Sequence, residues 1–109
     1  MPPYDVFDPR CPSRTVFEHV TSRWGSLVMA ALARGPQRFG ELTQVVGGIS
    51  DRMLSATLKD LAADGLVRRE EVGPQHVAYA LTEPGRAVAA ATAALATAVQ
   101  DAMPAVTGA

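Results

Sequence analysis

The residues best suited to chemistry lie between positions 49 and 67, where basic and small side chains share one side of a predicted helix. Leu54, Leu58 and Leu61 recur at helical spacing and form an apolar stripe. The opposite side carries Arg52, Ser55, Ala56, Lys59 and Ala63. Short polar and cationic side chains can reach phosphates and base edges, so this face suits insertion into a nucleic-acid groove. Taken alone, the pattern also fits the solvated face of an ordinary core helix.

Cys11, the only cysteine, directly precedes Pro12, where the sequence predicts the start of a helix. Helix N-termini and neighbouring cations stabilise the thiolate, which is the reactive form of the side chain, and Arg10 and Arg14 are close in sequence. The sequence therefore predicts a reactive thiol, with an inert surface cysteine as the alternative. One cysteine cannot form an intrachain disulfide, so oxidation would join two subunits or add a small thiol.

The remaining titratable residues predict neither an enzyme nor a metal or cofactor site. A zinc site would need Cys11, His19 and His76, whose spacing matches no metal motif. We predict that His19 lies on a helix surface and His76 in a turn, because neither has a partner cluster. The aspartates of the candidate groove-binding helix are predicted to be terminal charges, solvated side chains or turn residues: Asp51, Asp60 and Asp64.

The composition and charge are those of a globular chain with an uneven charge distribution. A length of 109 residues predicts one domain, and the formal net charge of -1 does not by itself favour a nucleic-acid partner. Residues 10 to 38, however, hold five arginines against one glutamate, whereas four acidic residues oppose one arginine from residue 70 onward. No apolar run could cross a bilayer and the N-terminus lacks signal-peptide features, so we expect a cytoplasmic protein without a membrane partner.

The elements that position these residues follow from periodicity and turn residues. Four prolines within residues 1 to 12 predict an extended arm with Tyr4 and Phe7 as anchors. Helices are predicted at 12–22, 25–33, 39–46, 50–65 and 83–103, and a hairpin at 66–82 with its turn at 73–76. The second helix is apolar nearly all round, which indicates a buried central helix, with Trp24 in the core. The third and fourth helices meet at a glycine turn and therefore predict a helix-turn-helix.

The last predicted helix carries a narrow apolar seam. Its members are Val88, Ala91, Leu95, Ala98, Val99, Ala102 and Met103. Since the hairpin already closes the domain, this helix has little to bury within its own chain and is predicted to pack on another subunit. The alternative is that its many alanines reflect helix propensity alone and that its end frays.

Short motifs occur in a fixed order over residues 10 to 86. They are CP at 11–12, RW at 23–24, RFGEL at 38–42, GIS at 48–50, a leucine-rich run ending in DGLV at 54–67, and YALTEPG at 79–85. Together these motifs resemble the HxlR family of prokaryotic transcriptional regulators, which are MarR-like in architecture. The resemblance implies a mainly α winged helix-turn-helix with a small β-hairpin that forms a homodimer through its N- and C-terminal helices.

The resemblance also assigns parts of the chain. Residues 1–11 would be an N-terminal arm, 12–83 the DNA-binding core, and 84–109 the dimerisation helix and tail. The implied contacts with a pseudo-palindromic operator are Arg38, Thr43, Gln44, Ser50, Arg52, Ser55, Lys59, Gln75 and His76. The implied dimer interface comprises Tyr4, Phe7, Phe17, Val88, Leu95, Val99 and Met103. The wing tip departs from the family pattern, because it offers Gln75 and His76 where an arginine or lysine is usual.

Two functions remain open from the sequence. The first is a sequence-specific DNA-binding regulator, a repressor, that responds to oxidants or electrophiles through Cys11 or to a small ligand in the dimer cleft. Sensing by a cysteine at this N-terminal position is what the family resemblance implies. The second is a winged-helix interaction or ligand-binding module without strong DNA binding, which the acidic hairpin and the negative net charge favour.

Overall fold

Five helices and a three-stranded antiparallel sheet make up the computed structural model of the chain, which describes residues 3 to 108. The elements are α1 (Pro12–Thr21), α2 (Gly25–Leu32), β1 (Gln37–Arg38), α3 (Phe39–Val45), α4 (Asp51–Ala63), β2 (Val67–Gly73), β3 (His76–Leu81) and α5 (Glu83–Thr107). The predicted mainly α fold with a hairpin is confirmed. Residues 1 and 2 of the predicted arm and residue 109 of the tail lie outside the described residues.

Helix α2 lies at the centre of the core, as predicted. Val28, Met29 and Leu32 are almost completely buried, and the helix packs against α1, α3, α4 and α5. Trp24 is half-buried and packs against the edge of this core. Leu27 is apolar but is not buried, because 46% of its surface is exposed. The helix-turn-helix therefore rests on a rigid apolar support.

Strand β1 was not predicted from the sequence. Gln37 pairs with Tyr79 and Arg38 with Ala78, which places β1 at the edge of a sheet ordered β1-β3-β2. The side-chain amide of Gln37 also donates a hydrogen bond to the carbonyl of Ala31 at 2.5 Å. A two-residue strand is too short to show alternation, so only the pairing with β3 reveals it.

The hairpin ends in a two-residue turn formed by Pro74 and Gln75. Gly73 pairs with His76, and a register shift separates Glu71 from Gly73. Gln75 has a φ of 62°, which is a left-handed conformation at the second turn position, where glycine or asparagine is usual. The wing tip is therefore a tight turn rather than a long loop.

Helix α5 is anchored to the turn that follows α4. The Thr82 side chain donates to the carbonyl of Gly65 at 2.6 Å and accepts from the backbone N–H of Gly85 at 3.1 Å. A β-carbon on Gly85 would overlap the Leu66 carbonyl oxygen, so only glycine permits this approach. The expectation that α5 has little to bury within its own chain is wrong for its first half, where Gly85 and Ala89 are buried and α5 packs against α2.

The second half of α5 is exposed and longer than predicted. The helix continues through Pro104 to Thr107 instead of ending at Met103, and Gly108 ends it in a left-handed conformation. Leu95 and Val99 are 60% and 52% exposed. This half therefore presents apolar side chains that nothing in the described chain covers.

The N-terminal segment folds into successive turns, so the predicted extended arm is wrong. The backbone N–H of Asp8 donates to the Asp5 carbonyl at 3.1 Å, and that of Cys11 to the Asp8 carbonyl at 3.0 Å. The Asp5 carboxylate also accepts from the N–H of Phe7 at 2.9 Å. Aspartates favour such turns because their side chains bond to the following backbone. Tyr4 and Phe7 are exposed, and their role as anchors on a neighbouring surface stays a prediction.

Candidate nucleic-acid interface

Helix α4 is held by a capped start and a buried apolar stripe. The Ser50 hydroxyl oxygen accepts from the backbone N–H of Met53 at 3.1 Å, which satisfies one of the free donors at the helix start. Leu54, Leu58 and Leu61 are buried, which confirms the predicted stripe. As the cap, Ser50 keeps only its hydroxyl hydrogen for a DNA phosphate.

The opposite face of α4 is open to solvent. Arg52, Ser55 and Lys59 are exposed, together with the small residues Ala56 and Ala63. Within residues 3 to 108, neither Arg52 nor Lys59 forms an ion pair. Two uncompensated positive charges among small side chains can approach an anionic surface closely.

The candidates around α3 differ in availability. Arg38 is exposed at the start of α3, and its backbone N–H donates to the Glu41 carboxylate at 2.8 Å. Gln44 is exposed. Thr43 is half-buried and its hydroxyl donates to the Gly40 carbonyl at 2.6 Å, so its hydrogen is already used within the chain. Arg38 and Gln44 are therefore the better-placed pair.

The wing carries more positive charge than predicted from the residues of its tip, because β2 contributes two arginines. Gln75 and His76 are exposed at its tip, as expected. On β2, Arg68 binds the Glu70 carboxylate at 2.9 Å and the Leu81 carbonyl at 3.0 Å, which neutralises one acidic residue. Arg69 is exposed and forms no ion pair in the described chain. The run of two arginines before two glutamates was the signal that could have revealed Arg69.

Cys11 is a half-buried thiol at the start of α1 with two hydrogen-bond partners. Its sulfur lies 3.1 Å from the Ser13 hydroxyl and accepts from the backbone N–H of Asp5 at 3.3 Å. The Ser13 hydroxyl lowers the pKa of Cys11 most, and the backbone N–H groups of Asp5 and Ser13 lower it further, against smaller opposing effects of burial and Asp8. Hydrogen bonds to the thiolate therefore favour the reactive form.

The arginines expected to activate Cys11 are engaged elsewhere. Arg10 pairs with Asp8 at 3.3 Å. Arg14 pairs with Glu18 at 3.2 Å and donates to the Phe7 carbonyl at 3.4 Å. The predicted contribution of the arginines is therefore wrong, whereas the backbone N–H of Ser13, in the first turn of α1, lowers the pKa of Cys11 as predicted for a helix N-terminus.

Most of the predicted interface residues border one apolar groove. It has a volume of about 1050 Å³ and lies between the N-terminal turns, α1 and α5, with Tyr4, Phe17 and Leu95 among its lining residues. Phe7, Val99 and Met103 are exposed outside the lining. Val88 is half-buried and packs against the core of its own chain while also lining the groove, so its place in the interface stays a prediction.

His19 has a partner that the sequence did not reveal. Its Nδ1 lies 2.7 Å from Oδ2 of Asp64, the C-cap residue of α4, whose side chain is 8% exposed. His19 lies on α1, as predicted, and its carboxylate partner was not foreseen. The hydrogen bond to Asp64 raises the pKa of His19 above its usual value against the opposing effect of burial, and Asp60 and Glu18 add to the rise. The pair joins α1 to the end of α4.

This raised pKa makes one stability difference depend on pH. The protonated His19 is favoured by folding, so its contribution is fully present below the unfolded pKa and is lost as pH rises through the folded pKa. We expect His19→Gln to lower the free energy of unfolding by on the order of 1 kcal/mol near pH 5.5 and by less near pH 8.5. Urea unfolding at both pH values measures this. His76→Gln, at the exposed start of β3, is the control, and equal effects of the two variants at both pH values would contradict the prediction.

Neither a metal-binding cluster nor a membrane-spanning helix is present in the part of the chain that the structure describes. No group of three or more histidine, cysteine, aspartate or glutamate side chains is arranged to hold a metal ion. Among residues 3 to 108, none of the helices combines the length and apolar character needed to span a membrane.

Comparison with known proteins identifies what the chain is similar to. The profile of the family described as HxlR-like helix-turn-helix matches residues 19–107. The HTH-type transcriptional regulator YtfH of Escherichia coli is 46% identical over 94 residues, covering 84% of this chain and 75% of that protein. Residues 19–107, which the family profile matches, include α4, the hairpin and all of α5.

Solved structures give the same result. The transcriptional regulator ytfH from Salmonella typhimurium superposes with a TM-score of 0.84 at 42% identity, covering 96% of both chains. Diamide-treated YodB from B. subtilis superposes with a TM-score of 0.69 at 31% identity, covering 86% of this chain and 96% of that one. The predicted winged helix-turn-helix is therefore confirmed.

Proposed function

This chain belongs to the HxlR-like helix-turn-helix family of transcriptional regulators, and we propose that it is a cytoplasmic, sequence-specific DNA-binding repressor without catalytic activity. The observation that carries this proposal is the exposed face of α4, where neither Arg52 nor Lys59 is paired with a carboxylate of residues 3 to 108 and both lie among small residues. Residues 12–83 form the DNA-binding core, 1–11 the N-terminal segment, and 84–109 the dimerisation helix and tail.

In this function α4 enters the major groove. Arg52, Ser55 and Lys59 contact base edges and phosphates, and Arg38 and Gln44 contact the flanking backbone. Ser50 donates to a phosphate, and the wing tip approaches the minor groove through Gln75 and His76. Thr43 has the weakest support of the proposed contacts, since its hydroxyl hydrogen is already used within α3.

The functional unit is a homodimer that meets across the apolar groove. A second copy is the occupant that fits best, because α1 and the exposed half of α5 offer large apolar side chains beside the groove. Phe17 and Leu95 line it, and Val99 and Met103 continue the apolar surface along α5. A two-fold dimer would place two recognition helices in half-sites about 34 Å apart, so the operator is pseudo-palindromic.

DNA binding by the unmodified protein tests this function. The duplex upstream of its own gene is compared with a shuffled duplex of equal length by gel shift at low and near-physiological salt. We expect a specific complex that weakens steeply with salt, since phosphate contacts release counterions. Failure to prefer the upstream duplex, or to bind any DNA at low salt, would favour a winged-helix interaction module, which the acidic residue Glu71 on the wing and the net charge of -1 also favour.

Oxidation of Cys11 is the proposed regulatory input. Its two hydrogen-bond donors lower the thiol pKa, and a similar protein, YodB, has been crystallised after treatment with diamide, a thiol oxidant. Two Cys11 thiols from two subunits would lose two electrons and two protons to the oxidant and form one disulfide; alternatively, one thiol would form a mixed disulfide with a small thiol. A small apolar ligand in the dimer cleft is the second candidate input.

The thiol chemistry can be tested through Ser13. We expect Ser13→Ala to raise the pKa of Cys11, because the substitution removes the strongest hydrogen bond to the thiolate, and so to slow alkylation by iodoacetamide near neutral pH. Rates measured across pH give the pKa directly. Thr15→Ala, on the next residue but one, is the control. Equal pKa values in wild type and Ser13→Ala would contradict the assigned role of the hydroxyl.

The regulatory role is tested by oxidation. Diamide should produce a covalent dimer or a thiol adduct that Cys11→Ser does not form, visible on a non-reducing gel and by mass spectrometry. DNA affinity should change on oxidation of the wild type and stay constant in Cys11→Ser. An oxidised wild type with unaltered affinity would remove Cys11 as the sensor while leaving DNA binding in place.

A further inference from the structure

Arg23 is a cation whose position is fixed by its neighbour. Its guanidinium carbon lies 5.0 Å from the centroid of the Trp24 ring, which is cation–π geometry. Trp24 is half-buried and packs against the core, whereas Arg23 is exposed. A long side chain that would otherwise sample many rotamers is therefore held against a fixed aromatic surface.

The stack lies beside the start of the recognition helix. Cη2 of Trp24 is 3.9 Å from the position that a β-carbon on Gly48 would occupy. Gly48 belongs to the turn between α3 and α4, and α4 begins three residues later at Asp51. The indole therefore lies beside the turn that leads into α4, and the Arg23 guanidinium stacks on that same indole.

The charge of Arg23 is available for a partner. No carboxylate in residues 3 to 108 forms an ion pair with it. Guanidinium groups bind phosphate through two parallel hydrogen bonds and can stack on an aromatic ring at the same time. Holding the group in advance reduces the ordering entropy lost on binding. The partner that fits is a phosphate of the DNA backbone next to the α4 groove site.

We infer that Arg23, stacked on Trp24, contacts a DNA phosphate that flanks the groove entered by α4. This inference rests on the proposed DNA-binding function and adds a contact outside the helix-turn-helix and the wing. A phosphate contact carries no sequence information, so Arg23 strengthens binding to every sequence alike. Arg23 therefore adds a positive charge beside α4, whereas the wing tip carries little positive charge.

The test uses a fluorescein-labelled duplex of shuffled sequence, so that no operator needs to be known. Anisotropy titrations between roughly 50 and 200 mM KCl give the slope of log affinity against log salt. Arg23→Gln should lower affinity several-fold at low salt and reduce the slope by about 0.9 for each phosphate that the variant no longer neutralises. Arg23→Lys, which keeps the charge, should recover most of the slope.

Arg86→Gln is the matched control. Arg86 lines a cleft with Leu32 and Ala33, at the far end of α2 from Arg23, and the eight-residue helix separates the two sites by about 12 Å. The same charge is removed, yet the salt slope should stay that of the wild type. Unchanged melting temperatures for both variants would show that the fold is intact.

The outcomes separate this inference from the proposed function. A wild-type slope for Arg23→Gln, or an equal reduction in Arg23→Gln and Arg86→Gln, would overturn the Arg23 contact while DNA binding itself stands. No measurable binding of the wild type to any duplex at low salt would overturn both. A reduced slope in Arg23→Gln alone, equal on shuffled and upstream duplexes, would support the contact.

Discussion

Replacing Arg52 and Lys59 together with alanine is expected to lower affinity for the upstream duplex by about 100-fold or more. Each side chain contributes on the order of 1 to 3 kcal/mol when it contacts a base edge, and about one unit of salt slope when it contacts a phosphate. Both are exposed and unpaired in the described chain, so the effect falls on DNA binding and not on folding. Alanine has the highest helix propensity, which keeps α4 intact. Gel shift and urea unfolding measure the two effects.

A charge-matched variant decides whether position or net charge matters. Arg10→Ala with Arg86→Ala removes the same two positive charges from the N-terminal turns and from α5. We expect that variant to keep nearly wild-type affinity. If both double variants weaken binding equally, net charge and not position on α4 determines the affinity. If neither weakens binding, Arg52 and Lys59 are not the DNA-contacting residues.

The single variants separate two modes of recognition. A side chain that contacts base edges should, when removed, reduce the ratio of specific to shuffled binding. A side chain that contacts phosphate should reduce binding to both duplexes and flatten the salt dependence. Arg52, on the first turn of α4, and Lys59, two turns later, can therefore be assigned independently.

The helices and the hairpin were predictable because each has a local signal. Leu54, Leu58 and Leu61 show a helical period, Ser50 marks the start of α4, and turn residues flank the strands. The signal for β1 is absent, since two residues cannot alternate, and only its partner Tyr79, far along the chain, makes it a strand. Local periodicity therefore predicts helices and longer strands better than it predicts which strands pair with each other.

The details of the candidate sites depended on distant contacts and were harder to predict. His19 and Asp64 are 45 residues apart, and nothing in either local pattern indicates their hydrogen bond. The donors to Cys11 were also missed, because the chain turns back at Asp5 and presents a backbone N–H to the sulfur. The nearness of Arg10 and Arg14 in sequence did not predict a contact with the thiol, because both arginines form ion pairs with nearby carboxylates.

The sequence of α5 predicted its exposed apolar half but not the half that packs within its own chain. Small residues allow close packing, and Gly85 and Ala89 use that within the chain by lying against the Leu66 carbonyl and α2. Composition could not show where this internal packing stops. The structure places the change near Leu95, beyond which the large apolar side chains of α5 are exposed.

Placing aspartate at both Leu95 and Val99 is expected to convert the proposed dimer to monomers. The two positions lie four residues apart on one exposed stripe of α5, and burying two charges per chain in an apolar interface costs several kcal/mol. Because two linked recognition helices bind more tightly than one by roughly 100- to 10,000-fold, affinity for the upstream duplex should fall by at least the lower factor. Sedimentation equilibrium and gel shift measure the two effects.

The control for this variant comes from the other side of the same helix. Thr97 and Gln100 are also exposed, and at 100° per residue they point away from the stripe of Leu95 and Val99. Thr97→Asp with Gln100→Asp adds the same charge and the same low-propensity residue to α5, so it should leave both mass and affinity unchanged. A dimeric Leu95→Asp, Val99→Asp protein would place the interface elsewhere. A monomer that keeps full affinity would show that one recognition helix is sufficient, because the second copy then contributes nothing to binding.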